Sequence, residues 1–253
     1  MTTRPEAHAP AFFPFRPWLQ RWGVSAEGMV AGLVVGHALL RFGGLWNPLY
    51  IPLSMAVVWP LPWMLSPRSA RRALGFRRAR AWHWYWMGPA VAVAVMGACA
   101  AAAWGLFGAG ESNWFVHHAR ALQEPLAQMP GDPSTLVRFV IVTGPALLFS
   151  PLAEEFLFRG YLLSVLAERW GEQSAQWGQA TAFGLMHLAH YGLVPIQPAL
   201  IALWVPSMIV AGRAFGWVVR RSGSVWSAVL AHAAFNASMN ALVFWALPGL
   251  VAG

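Results

Sequence analysis

"GPALLFSPLAEEFLFRGYLLSVLA", residues 144–167, is apolar on both sides of Glu154, Glu155 and Arg159. These three charges fall within six residues of a chain that is 58% hydrophobic and only 10% charged. An ionisable side chain at bilayer depth costs about 2.5 to 3.5 kcal/mol on insertion scales, so such groups face a bundle interior and serve a function. How the rest of the chain relates to lipid therefore decides how this stretch is read.

The 253 residues would suit one or two soluble domains, but a mean hydropathy of +0.50, 14% aromatic residues and 16 tryptophans indicate an integral membrane protein. Residues 45–65, 84–107, 135–152, 194–212 and 224–247 each approach the roughly 20 apolar residues that span a bilayer. Residues 28–40 and 175–190 are shorter and weaker candidates. Trp46, Trp63, Trp82, Trp84, Trp86 and Trp245 stand near the ends, where amphipathic rings favour the headgroup zone.

A net charge of +8 in a soluble protein would suggest nucleic acid, but no basic groove interleaved with aromatics and no known module accompanies it. Here the charge sets orientation. Arg68, Arg71, Arg72, Arg77, Arg78 and Arg80 cluster in one expected loop, Arg213, Arg220 and Arg221 in another, and Arg4, Arg16 and Arg21 near the start, as cytoplasmic retention of basic loops predicts. The lone Cys99 excludes an intrachain disulfide and a cysteine metal site. The arginine- and proline-rich first residues do not read as a cleaved leader.

Seven crossings follow, with the N-terminus inside and the C-terminus outside, and an eighth if Pro151 separates two full spans. Residues 108–134 form the expected outer loop. As one helix, residues 135–167 would be roughly 50 Å long, so a break or kink at Pro145 or Pro151 is predicted. The fold class is all-α, a polytopic transmembrane bundle with an intramembrane polar cavity.

On a helix, Glu155 and Arg159 stand at i and i+4 with the acid first, the favourable order for an ion pair. Glu154 points about 100° away and is left free to act. Downstream, "FGLMH" places Phe183 one turn before His187, and "HAAFN" places His232 one turn before Asn236. Counted at roughly 1.5 Å per residue from the cytoplasmic helix ends, Glu154, His187, His232 and Asn236 fall roughly 14 to 22 Å deep. Four polar groups from three helices thus meet at similar depth. A carboxylate beside a histidine can take a proton from water. Asn236 and His232 can donate to the oxyanion formed when water attacks an amide, an interaction worth about 2.7 to 4 kcal/mol per donor.

In order and spacing, "EEFLFRG", "FGLMH" and "HAAFN" resemble the EExxxR, FxxxH and HxxxN motifs of the CAAX-protease and bacteriocin-processing family of intramembrane endopeptidases. That resemblance covers roughly residues 135–245. It implies a cavity open to the cytosol in which Glu154 and His187 activate water, His232 and Asn236 form the oxyanion hole, and Glu155, Arg159 and Phe183 support them. The expected division is an interfacial or cytoplasmic segment 1–22, accessory helices and loops 23–134, and a catalytic core 135–250. The implied partners are the lipid bilayer and a membrane-associated protein or peptide substrate cleaved near the cytoplasmic side, in a bacterial inner membrane.

No cofactor is expected. Zinc on Glu154, His187 and His232 is the alternative, disfavoured because no HExxH is present and ligand histidines need orienting partners. Taken singly, His232 and Asn236 read equally well as interhelical hydrogen-bonding groups. His190 is expected at a helix end near water, and His37, His83, His117 and His118 are read as interfacial or loop residues. Two other functions compete with the peptidase: a proton-coupled transporter, which lacks the repeated interrupted helices of that class, and a catalytically silent scaffold or immunity protein.

Overall fold

The computed structural model describes residues 12–247; Arg4 and the last residues of the expected core, 248–250, lie outside them. From the N-terminus, α1 (Pro17–Gln20) precedes α2 (Ala26–Gly43), α3 (Tyr50–Val58), α4 (Leu61–Leu65) and α5 (Arg68–Ala73). Then come α6 (Trp84–Phe107), α7 (Trp114–Ala127) and α8 (Thr135–Glu154). A π-helical segment, Glu155–Leu162, joins α8 to α9 (Leu163–Met186), which ends in one 3-10 turn. The last helices are α10 (Pro198–Ser222) and α11 (Val225–Ala241), the latter continued by a second π segment. The protein is all-α, with no strand among the described residues beyond one isolated bridge, Leu193 to Ile196.

Among the described residues, four helical stretches are long and apolar enough to cross a membrane: Trp84–Phe107, Thr135–Ala189, Pro198–Ser222 and Val225–Ala246. The first two expected crossings correspond to α2, longer than predicted, and to Tyr50–Leu65, which is interrupted at Trp59 and Pro60. α2 and α8 start on serine caps, with Ser25 and Ser134 accepting from the amides of Gly28 and Val137, donors that a helix start otherwise leaves unpaired.

The helix over 135–167 does not break where proline predicts. Pro145 and Pro151 sit inside α8, and the irregularity is the π segment laid over the charged motif. A proline removes one amide donor, and a wider turn just after it accommodates the mismatch without ending the helix. The reversal comes instead at Gly171, whose φ of 77° is a left-handed conformation that glycine adopts without steric cost.

The three arginine-rich segments meet at one end of the bundle, as the charge pattern predicts. The Arg80 amide donates to Ser222 O (2.8 Å), Arg77 Nε to Gly223 O (3.0 Å) and the Val225 amide to Gly75 O (2.9 Å). The Arg16 amide reaches Leu65 O at 2.6 Å. One detail differs: Arg213, Arg220 and Arg221 are on the last three turns of α10, not in a loop. Residues 108–134 also differ from the expected loop, because α7 folds within them. Trp114, Phe115, Val116, Ala119 and Leu126 are buried, an amphipathic face that a search for 20-residue spans does not detect.

Close approach fixes α9 against α10. A Cβ at Gly184 would lie 2.4 Å from the Ile209 side chain and 3.0 Å from the Val205 carbonyl. Gly184→Val should therefore destabilise the bundle by about 1 to 3 kcal/mol, read as a lower unfolding midpoint in detergent; an unchanged midpoint would mean that this contact yields freely.

Candidate active site

The motif residues of α8, α9 and α11 come together around Glu154 and Glu155. Glu155 is fully buried and its Oε1 accepts twice, from Arg159 Nη1 at 2.9 Å and from His232 Nδ1 at 2.8 Å. Arg159, also fully buried, lies over the Phe183 ring with its guanidinium carbon 4.1 Å from the centroid. The ion pair expected from the i, i+4 spacing is present. Its carboxylate does a second task that spacing along one helix does not reveal, orienting the imidazole of another helix. Phe215 stacks on that imidazole, 4.9 Å between centroids.

Glu154 is held differently. Ser150 Oγ donates to its Oε1 at 3.0 Å, and Arg41 Nη2 stands 4.0 Å from the same oxygen. Among the described residues its Oε2 has no hydrogen-bond partner, and it lies 4.0 Å from His232 Nε2. His187, Arg41, His232 and His37 all lie within electrostatic reach of this carboxylate. Adjacent in sequence, the two glutamates divide by partner: each has an Oε2 without a hydrogen-bond partner among the described residues, but Glu155 Oε1 is held by Arg159 and His232 Nδ1, whereas Glu154 accepts only from Ser150 and faces His232 Nε2.

His187 is fixed at three points. Its Nδ1 is 2.7 Å from Phe183 O, and a carbonyl only accepts, so Nδ1 carries the proton and the neutral ring presents a lone pair at Nε2. Trp204 Nε1 donates to the His187 carbonyl at 2.9 Å, and the Phe183 ring lies 4.4 Å from the imidazole. Asn236 spends one Nδ2 hydrogen on Ala146 O at 2.9 Å, leaving the other free to donate.

A cavity of about 410 Å³ adjoins these groups, lined by His187, His232, Asn236, Ser150 and Phe183 among others. Glu154 is one layer behind the wall, in contact with Ser150, Arg41 and His232, which are part of it. Zinc would need at least three converging ligands, and among the described residues no group of three or more His, Cys, Asp or Glu side chains is placed to hold a metal ion. His232 Nδ1 is held by Glu155 and His187 Nδ1 by the Phe183 carbonyl, the kind of orienting partners that ligand histidines need.

Several residues at or beside the cavity were not expected there. Arg41 and His37 of α2 are buried, not interfacial, with His37 Nδ1 3.1 Å from Ser54 O and Arg41 hydrogen-bonded to His190. His190 does follow the helix end and is exposed, as predicted, yet it also lines the cavity. His118 is no loop residue: it accepts from the Tyr191 hydroxyl at 2.5 Å and donates from Nε2 to Asn240 Oδ1 at 2.9 Å. The signal for α2 was present in "HALLR", where His37 and Arg41 share a face at i, i+4 inside an apolar run.

Compared with known proteins, residues 136–238 match the family model described as Rce1-like, type II CAAX prenyl endopeptidase Rce1-like. Every motif residue, from Glu154 to Asn236, falls inside the matched segment. No curated protein and no solved structure matches the chain.

Proposed function

We propose, given that the chain belongs through residues 136–238 to the type II CAAX prenyl endopeptidase Rce1-like family, that it hydrolyses a peptide bond of a membrane-associated polypeptide with Glu154 as general base. The observation that carries this reading is the placement of Glu154 Oε2, 4.0 Å from His232 Nε2 and one layer behind the wall of a largely apolar cavity that His187, His232 and Asn236 line.

In this scheme water donates one hydrogen to Glu154 and is oriented by the lone pair on His187 Nε2. As the oxygen attacks the carbonyl carbon, Glu154 takes the proton and the carbonyl oxygen becomes an oxyanion. Asn236 supplies its second amide hydrogen to that oxyanion. With Nδ1 given to Glu155, His232 in its protonated form donates to the same oxyanion from Nε2. Glu154 then returns the proton to the departing amine, so that acid and amine leave with the elements of water added.

Arg41 and Arg159 balance the two glutamates, one cation per anion. That arrangement supports an ionised Glu154, the form a base requires. A metal is not part of the scheme.

The test is cleavage of candidate membrane peptides by the purified protein in liposomes, with and without a chelator, read by mass spectrometry. Cleavage that persists in chelator is the expected result. Loss of cleavage in chelator with recovery on zinc addition would replace the scheme by a metal mechanism. Proton flux without cleavage would favour the transporter reading, and an unchanged phenotype for Glu154→Ala the silent scaffold.

A further inference from the structure

The turn from Ser222 to Val225, between α10 and α11, is enclosed by residues 75–80. Besides the backbone bonds from Arg80 to Ser222 and from Val225 to Gly75, Ser224 Oγ donates to Arg77 O at 2.6 Å and Arg77 Nε to Gly223 O at 3.0 Å. Gly223 takes a left-handed φ of 70°, the glycine stop common at a helix C-terminus. These bonds bring two guanidinium groups to one point. A Cβ at Gly223 would lie 3.0 Å from Arg80 Nε and 3.2 Å from Arg77 Nη2.

Like charges gathered at one point repel, and an anion between them reverses the sign. The protein supplies no such anion. Among the described residues, ion pairs engage Arg41, Arg120, Arg138, Arg159 and Arg220, and neither Arg77 nor Arg80 takes part in one. The C-terminal dipole of α10 offers roughly half an elementary charge, and Arg77 Nε already meets it at Gly223 O. That does not balance two guanidiniums. Both side chains are exposed. Among the described residues Arg80 bonds to the turn through its backbone amide alone, so the donors of its side chain are open to a ligand.

The aromatic residues beside this point indicate which anion it meets. Four residues after Arg80, Trp84 opens α6 and packs edge-on against Trp217 of α10, 5.6 Å between centroids. Arg221 lies over the same Trp217 ring, its guanidinium carbon 5.8 Å from the centroid, and Trp82 and Trp86 are exposed. Indole rings concentrate at the headgroup level of a bilayer, so these guanidiniums stand where lipid phosphates do. Retention of basic segments places the arginine end on the cytoplasmic side, where the leaflet carries anionic lipid. The planar fork of an arginine matches two oxygens of one phosphate.

We propose that Arg77 and Arg80 form, over Gly223, a binding site for the headgroup phosphate of one anionic phospholipid. Bound there, the lipid ties residues 75–80 to the turn that starts α11, the helix carrying His232 and Asn236. The site stands apart from the peptidase reading and does not depend on it.

The test titrates the full chain, purified in detergent, with phosphatidylglycerol in mixed micelles and counts bound lipid by native mass spectrometry. The wild type should retain one lipid per chain. Arg80→Gln should weaken retention about tenfold and Arg77→Gln/Arg80→Gln about a hundredfold, one charge-assisted contact for each arginine. Arg68→Gln/Arg72→Gln removes as much exposed charge from the same end but none from the turn, and should stay within about twofold of wild type because charges away from the site are screened. If the Arg77→Gln/Arg80→Gln protein does not fold, Arg80→Gln alone decides. Equal weakening in the two double variants would show diffuse attraction and overturn the site, as would wild-type retention by Arg80→Gln. Equal retention of phosphatidylcholine would also overturn it, and displacement of the lipid by inorganic phosphate at the same concentration would assign the site to a soluble anion instead.

Discussion

Glu154→Gln should lower peptide turnover by about 10² to 10⁴-fold, the range a positioned general base contributes, while substrate still binds. Glutamine keeps the shape and can still accept from Ser150, so the change isolates proton transfer from packing. It also removes the charge 4.0 Å from Arg41, leaving a buried guanidinium less compensated, and some loss of stability should accompany it. Comparing turnover with the unfolding midpoint separates the two effects: Ser150→Ala, which removes a hydrogen bond to Oε1 and no charge, should cost far less activity. A Glu154→Gln protein that keeps more than about a tenth of wild-type turnover, below the smallest loss a base should produce, would remove Glu154 from the role.

The motif half of the chain was legible because its chemistry is periodic. Glu155 with Arg159, Phe183 with His187, and His232 with Asn236 are all i, i+4 pairs on apolar helices, and turn spacing alone brings each pair together. What joins the pairs to one another is tertiary. The bond from His232 to Glu155 spans 77 residues of sequence and that from Arg41 to His190 spans 149, and no local pattern specifies either. α2 was undervalued because a span is scored by apolarity, and the His37 and Arg41 that serve the site are what lower its score. α7 was missed for the related reason that a helix lying against a bundle needs only one apolar face. The π segment was not legible at all, since the proline that precedes it is equally a signal for a break.

The Glu155–Arg159 pair shows how stability and function separate at this site. Both groups are wholly out of water, and among the described residues Arg159 Nε and Nη2 have no hydrogen-bond partner, so Glu155 and the faces of Phe183 and Phe215 are the main compensation for the cation. Removing one member leaves the other charge buried and unpaired, a loss of about 3 to 5 kcal/mol. Glu155→Leu and Arg159→Met should each destabilise the bundle by that amount, measured by reversible unfolding in mixed micelles. The double variant should recover most of the loss, because an apolar pair replaces an ion pair with no stranded charge. Activity should not recover with it. Without Glu155, His232 Nδ1 loses its acceptor and the imidazolium its counter-charge, so the double variant is folded and slow. If the two single losses simply add in the double variant, the pair is not a coupled unit, and the strict order of acid before arginine has some other cause. If activity returns along with stability, orientation of His232 by Glu155 is not needed for the reaction, and the oxyanion role falls to Asn236 alone.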